Sequence, residues 1–324
     1  MTVSDGSMPL GSLACIGECM LEISQTDRQA SGHHSMTASI GYGGDTLNTA
    51  IYASRLGIET YFFTALGSDH YSDWLLDAWQ QEGVQTSYVL RDKERLPGLY
   101  AIELDEDGER TFHYWRKESA ASRYLTLAGE ETLYQQLRQM DVIYLSGISL
   151  GILDEAQKNS LVSLIARLHA DGKTIAFDGN YRPRNWLSQS QAQQYMSKIM
   201  PYVTWYLPTL DDEAMLFGTQ TIHDVQTHYA PYLALSLKEL VIKDGECGCY
   251  VCTSKEPSFP THVAIPEKVK PKDTTAAGDS FNAGYLAARM GGTPPKEAAL
   301  AGHRLAAQVI QCKGAIISID AMPK

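Results

Sequence analysis

The second half of the chain alternates between two hydrophobic rhythms. Val142-Ile143-Tyr144-Leu145, Thr174-Ile175-Ala176-Phe177, Val203-Thr204-Trp205-Tyr206-Leu207 and Leu240-Val241-Ile242-Lys243 are compact apolar runs. Runs of this kind suit strands buried on both faces. Between the first two, Leu161, Leu164, Ile165 and Leu168 recur at helical spacing, and Gly172 stops the pattern. Buried strands alternating with helices predict an α/β fold, with a mostly parallel sheet covered by helices on both faces. Leu13-Ala14-Cys15-Ile16-Gly17 reads as a further buried strand, and Cys19-Met20-Leu21 continues its pattern between Glu18 and Glu22.

Over residues 99–116 the period changes to two. Tyr100, Ile102 and Leu104 alternate with their neighbours, Asp105-Glu106-Asp107-Gly108 turns the chain, and Phe112, Tyr114 and Arg116 alternate back. This is the pattern of a β-hairpin with Phe112, Tyr114 and Arg116 on one face.

Composition adds boundaries. The 324 residues suffice for one large or two modest domains, and 44% hydrophobic with 20% charged residues describes an ordinary globular chain. A net charge of −11 argues against a nucleic-acid surface, which needs clustered Lys and Arg. Any anionic substrate must then meet a local cation. No apolar run approaches the about 20 residues of a membrane span, so no membrane partner is expected. Met1 to Ser12 lacks the basic and apolar regions of a signal peptide and is expected to be a flexible extension. Six cysteines without a small-scaffold spacing read as reduced thiols of a cytoplasmic protein. Cys247, Cys249 and Cys252 lack the second Cys pair that would complete a zinc site, and the adjacent His33 and His34 point apart in a polar loop.

The chemistry concentrates in Asp273-Thr274-Thr275-Ala276-Ala277-Gly278-Asp279-Ser280-Phe281. Small residues precede a helical pattern at Phe281, Tyr285 and Ala288, so a bare-backbone turn opens a helix there. Ala276, Ala277 and Gly278 let a ligand approach their N–H groups at the positive end of the helix dipole, an anion hole. An Asp at a helix start is usually a cap, and Asp279 can also take a proton from an acceptor hydroxyl. Near the other end, Gly43-Gly44 frees the backbone, and Asp45 and Asn48 offer polar atoms to hydroxyl groups. Asp178-Gly179-Asn180-Tyr181-Arg182 and Lys243-Asp244-Gly245 lie beyond strand ends, where ligands of parallel sheets bind.

Taken together, these motifs resemble the PfkB (ribokinase-like) carbohydrate kinases across residues 13–323. The 273–286 stretch is similar to the C-terminal signature of that family, and Gly43-Gly44 with Asn48 is similar to its N-terminal one. The resemblance implies a single kinase domain over 13–324, with a small β lid in segments roughly within 18–42 and 88–119. It implies Asp279 as catalytic base, and Gly44, Asp45, Thr46, Leu47, Asn48, Tyr100, Tyr114, Arg116 and Arg182 as sugar contacts. Asn180, Arg182, Lys243, Gly245, Gly248, Ala277 and Gly278 are implied for ATP. Glu213 of Leu210-Asp211-Asp212-Glu213 is implied for Mg²⁺, although the family's Asn-x-x-Glu lacks its Asn here.

Within the family, Leu96-Pro97-Gly98-Leu99-Tyr100, Tyr114-Trp115-Arg116 and the 178–184 stretch look like the 2-dehydro-3-deoxygluconokinases. That likeness implies ATP-dependent phosphorylation of a sugar acid, with Arg116 as partner for its carboxylate. Fructokinases and tagatose-type kinases share both signatures. A silent sugar-binding protein would be expected to lose Asp279 or the Gly278 turn. A monovalent cation and self-association stay open.

Overall fold

The computed structural model describes residues 10–32, 35–104 and 110–323. His33, His34 and the expected turn at Asp105 to Gly108 therefore lie outside the described residues, as does nearly all of the expected N-terminal extension. The chain begins with β1 (Ser12–Ile16), β2 (Met20–Gly32) and β3 (Ser35–Gly43), followed by α1 (Asp45–Arg55). Next come β4 (Glu59–Phe63), β5 (Ala65–Gly67), α2 (His70–Gln81), β6 (Leu90–Asp92), β7 (Gly98–Leu104) and β8 (Arg110–Trp115). Helices α3 (Tyr124–Ala128) and α4 (Glu130–Leu137) lead to β9 (Val142–Ser146), α5 (Gly147–Gly151), α6 (Glu155–Ala170) and β10 (Thr174–Asp178). The order continues as α7 (Gln189–Ile199), β11 (Trp205–Tyr206), α8 (Leu210–Phe217), α9 (Ile222–Leu233) and β12 (Glu239–Lys243). It closes with β13 (Cys249–Thr253), β14 (Glu256–Val263), α10 (Ala277–Met290) and α11 (Pro295–Val309).

Eight strands form one sheet in the order β14-β13-β12-β11-β10-β9-β1-β4. Pairing is parallel from β4 through β12, and only β13 and β14 run antiparallel. The continuous apolar runs follow from this burial. Ala14, Ile16, Ile143, Leu145, Ile175, Phe177, Leu240 and Ile242 enter the core beneath α4, α6, α7 and α9. Their neighbours Leu13, Cys15, Val142, Tyr144, Ala176 and Val241 enter the core beneath α1, α2, α10 and α11. In α6 the buried set includes Leu161, Leu164, Ile165 and Leu168, as the spacing predicts. All six cysteines are free thiols.

A second sheet, β3-β2-β7-β8, stands apart as the lid. The chain enters it twice, once after β1 and once after β6. Its β7–β8 pair is the predicted hairpin, and Tyr100 faces Tyr114 across it with ring centroids 5.9 Å apart. Phe112 stacks beside Tyr114 at 6.3 Å. One row of aromatic rings thus lines the lid's inner face.

Helix α10 carries the C-terminal motif, and its position depends on close packing with α11. A Cβ at Gly284 would stand 2.9 Å from the Gly302 Cα and 3.0 Å from the Ala301 carbonyl. Neither backbone atom can give way cheaply. Gly284→Val is therefore expected to destabilise the protein by about 1–3 kcal/mol through overpacking, measured as a lower urea midpoint at unchanged m-value. A midpoint equal to wild type would show that the two helices have room to separate.

Candidate active site

The carboxyl ends of the parallel strands converge on a long cleft roofed by the lid. Glu18 follows β1, Ser146 ends β9, Asp178 ends β10, Thr209 follows β11 and Lys243 ends β12. Such sheets present their strand ends and the loops beyond them at one edge, which is where polar groups can gather without breaking the core.

The two ends of the sequence meet on the cleft floor. Asn48 of α1 donates from Nδ2 to Asp279 Oδ2 at 2.8 Å. Thr49 donates from Oγ1 to the Asp279 carbonyl at 3.1 Å. Asp279 is the third residue of α10 and does not cap it: the cap position belongs to Ala276, whose backbone is left-handed at φ 60°. A non-glycine residue holds that conformation at a cost of about 1 kcal/mol. Beyond it, the Ala277 N–H is given to the Thr274 carbonyl at 3.2 Å. A methyl group at Gly278 would find only the Lys243 Nζ nearby, at 3.7 Å, so the backbone there is open to the cleft.

Asp45 is the first residue of α1. Its Oδ2 accepts from the Ser146 hydroxyl at 2.5 Å and from Asn180 Nδ2 at 2.8 Å. Asn180 reaches it from a backbone at φ 33°, directly after Gly179. Asp178 Oδ2 accepts from Lys243 Nζ at 3.2 Å and Asn282 Nδ2 at 2.7 Å, while its Oδ1 is buried with no partner among the described residues. Lys243 also donates to Asn282 Oδ1 at 3.1 Å.

Three carboxylates, Asp45, Asp178 and Asp279, therefore share the cleft floor. Burial first, and then repulsion from Asp45 and Asp178, push the Asp279 carboxyl up to about 7, against the opposing Asn48 hydrogen bond and Lys243 charge. Burial raises Asp45 as well, opposed by the Ser146 hydroxyl. A carboxylate tuned close to neutrality can take up and release a proton under ordinary conditions.

Of the residues expected from sequence, Gly44, Asp45, Asn48, Tyr100, Tyr114, Arg116, Asn180, Arg182, Lys243, Ala276, Ala277, Gly278 and Asp279 line the cleft. Thr46 and Leu47 do not; both are buried in the packing of α1. Gly245 and Gly248 also lie off the cleft. Gly248 has φ 101° and packs against the Val263 carbonyl, so its conformation serves the turn into β13. Glu213, expected at a metal, is buried and engaged by tyrosine hydroxyls, Tyr206 at 2.5 Å and Tyr229 at 3.0 Å. Burial pushes it up to about 7, and it is Asp211 and Asp212 that reach the cleft. Arg182 donates to Asp212 at 2.9 Å and is half exposed.

Arg116 shares the cleft with Tyr114, as the period of two predicts, but it is not a free cation. Its Nε donates to Glu18 Oε2 at 2.8 Å, and its Nη2 approaches the same oxygen at 2.5 Å. The motifs assign no role to Glu18, Ser146 or Asn282, and they place Asp178 at a strand end without one. A signal existed for Glu18: a charged residue inside an apolar run, Cys15 to Leu21, requires a partner if the run is buried.

Comparison with known proteins supplies the family. The family model described as pfkB family carbohydrate kinase matches residues 11–322. A 2-dehydro-3-deoxygluconokinase of Dickeya dadantii (strain 3937) is 42% identical over 98% of this chain and 100% of its own length. One of Escherichia coli (strain K12) is 43% identical, covering 96% of this chain and 98% of its own. The crystal structure of a fructokinase with bound ATP from Xylella fastidiosa shares the fold, with a TM-score of 0.80 at 20% identity over 98% of this chain and 96% of its own. With nearly every described residue inside the matched range, the chain belongs to the pfkB family of carbohydrate kinases.

Proposed function

We propose that this protein phosphorylates 2-dehydro-3-deoxygluconate at O6 with ATP, giving 2-dehydro-3-deoxy-6-phosphogluconate. The observation that carries the reading is the Asn48–Asp279 contact, which joins both family signatures at one tuned carboxylate, in a chain whose relatives across its full length bear that substrate's name.

Each step follows from a side chain already described. The sugar lies between the floor and the lid, with Asp45 accepting from a hydroxyl while Ser146 and Asn180 hold its carboxylate in place. Tyr100 and Tyr114 cover the sugar and exclude water, which strengthens every charge interaction beneath them. Asp279 accepts the proton of O6 as that oxygen attacks the terminal phosphorus of ATP, and the bond to the ADP oxygen breaks. The Gly278 and Asp279 N–H groups, at the positive end of α10, stabilise the charge on the transferring group. Lys243, beside Gly278, and Arg182 add fixed positive charge along the phosphate path. Mg²⁺ brought in with ATP would supply charge neutralisation between the phosphates. The orphaned buried oxygen of Asp178 and the cleft-facing Asp212 fit such a cation, which binds through one or two carboxylates besides phosphate and water.

The substrate assignment is tested by ADP release across 2-dehydro-3-deoxygluconate, gluconate, fructose and ribose. The acid with the 2-keto group is expected to give the highest kcat/KM; a preference for fructose would replace the reading with that of a neutral-sugar kinase.

Asp279→Asn retains the acceptor for Asn48 but cannot take a proton. Turnover is expected to fall by about 10²–10⁴-fold, and the rise of wild-type kcat/KM through about pH 7 should vanish with it. Stability supplies a second readout. A carboxyl whose folded value is raised contributes stability below its unfolded value and loses it as pH rises through the folded one. The melting-temperature advantage of the Asn variant should therefore be larger at about pH 8 than at about pH 4. An advantage independent of pH would mean that Asp279 is not raised.

Gly278→Val should fold, since its Cβ meets no atom closer than 3.7 Å, yet lose phosphoryl transfer because the branched side chain blocks the backbone. Full ATP turnover in a variant with wild-type circular dichroism would remove the anion hole from this position.

A further inference from the structure

Among the buried charges with no part in phosphoryl transfer, one joins the lid to the central sheet. Glu18, with no exposed side-chain surface, occupies the short connection between β1 of the central sheet and β2 of the lid. Arg116 stands one residue after β8, where the chain leaves the lid for the second time. The remaining crossings close on the same residue. A Cβ at Gly98, where β7 begins, would lie 2.8 Å from Glu18 Oε1. One at Gly44, between β3 and α1, would collide with the Glu18 carbonyl. All four crossings between lid and sheet meet at Glu18.

Stability does not account for it. Removing a carboxylate from water costs several kcal/mol, and a buried ion pair offsets that only when the remaining lone pairs are satisfied. Here Oε1 is buried with no partner among the described residues. What the arrangement does achieve is to aim a cation. The floor carries Asp45, Asp178 and Asp279, and Arg116 is near enough to Asp45 for its charge to favour the ionised carboxylate. A guanidinium released at this spot would fall onto Asp45 and block a hydroxyl acceptor. Glu18 instead occupies the Nε–Nη2 edge and leaves Nη1 and the second Nη2 hydrogen for another partner.

We propose that Glu18 is the positioning residue for substrate selection: it holds Arg116 off Asp45, with the free N–H groups turned to the anionic group of a sugar acid, once the lid is seated on the sheet. The inference rests on the sugar-acid reading above.

The test is a cycle of Glu18→Gln, Arg116→Gln and the double variant, with kcat and KM measured on 2-dehydro-3-deoxygluconate and on fructose. Glu18→Gln is expected to raise KM for the acid by about tenfold or more, with a far smaller change in kcat and in the constants for fructose. In the Arg116→Gln background the same substitution should change KM for the acid no further. An unchanged KM, an equal loss on both sugars, or a loss that persists without Arg116 would each overturn the role, the last two leaving Glu18 a hinge residue only. Glu18→Asp, which keeps the charge and withdraws it by one methylene, should show the same KM-against-kcat split if the Gln variant fails to fold. A wild-type enzyme without activity on the acid removes the substrate reading and the inference with it; activity with unchanged KM in Glu18→Gln removes the inference alone.

Discussion

The crowding of three carboxylates at one end of the sheet is the constraint to which the rest of the cleft answers. Asp45, Asp178 and Asp279 stand near one another where a hydroxyl would be held and deprotonated beside a phosphate, and burial first, with neighbouring charge after it, disfavours the ionised forms of Asp45 and Asp279. The surrounding polar groups are distributed accordingly. Ser146 and Asn180 donate to the first, Lys243 and Asn282 to the second, and Asn48 to the third. These donors sit at or just beyond a strand end, or in the first half of a helix, where backbone geometry is set by packing on the sheet.

That arrangement links the reaction to the core. Helix α1 brings Asp45 and Asn48, α10 brings Asp279 and Asn282, and both pack on the same face of the sheet. The close approach of α10 to α11 through Gly284 and Gly302 fixes how far the first turn of α10 protrudes into the cleft. The tyrosine pair that holds Glu213 performs a similar service from below. A Cβ on Gly179 would stand 2.8 Å from the Tyr206 hydroxyl, so the Asn180 turn rests directly on that hydroxyl and on Glu213. Packing and chemistry are thus joined by backbone contacts at glycines.

The lid closes over this base as a second sheet. Its aromatic row is an apolar roof, and Arg116, which leaves it toward the floor, is paired with Glu18. An excess of acidic residues over the whole chain disfavours an anionic substrate, so any preference for one must be local. On the proposed reading, that preference depends on which guanidinium edge of Arg116 is left unpaired, a matter of orientation more than of net charge.

Much of this was legible in the order of residues alone. Periodicity located the strands and helix α6, because a strand covered on both faces has no polar side and a helix covered on one face must repeat at its own pitch. Motif composition located Asp279, Asn48 and the open backbone at Gly278, because close approach to a phosphate leaves few residue types available. The tertiary structure alone decided the partners. Asn48 and Asp279 are separated by 231 positions, and Glu18 and Arg116 by 98. No local pattern encodes such pairs, since they arise only when the sheet order places β1 beside β9 and the lid folds back over both. The same holds for Glu213, which the family motif implies for a metal and which folding buries against the hydroxyls of Tyr206 and Tyr229. Sequence determined which groups the chain could bring; which of them remained free at the cleft was settled by what each side chain met on folding.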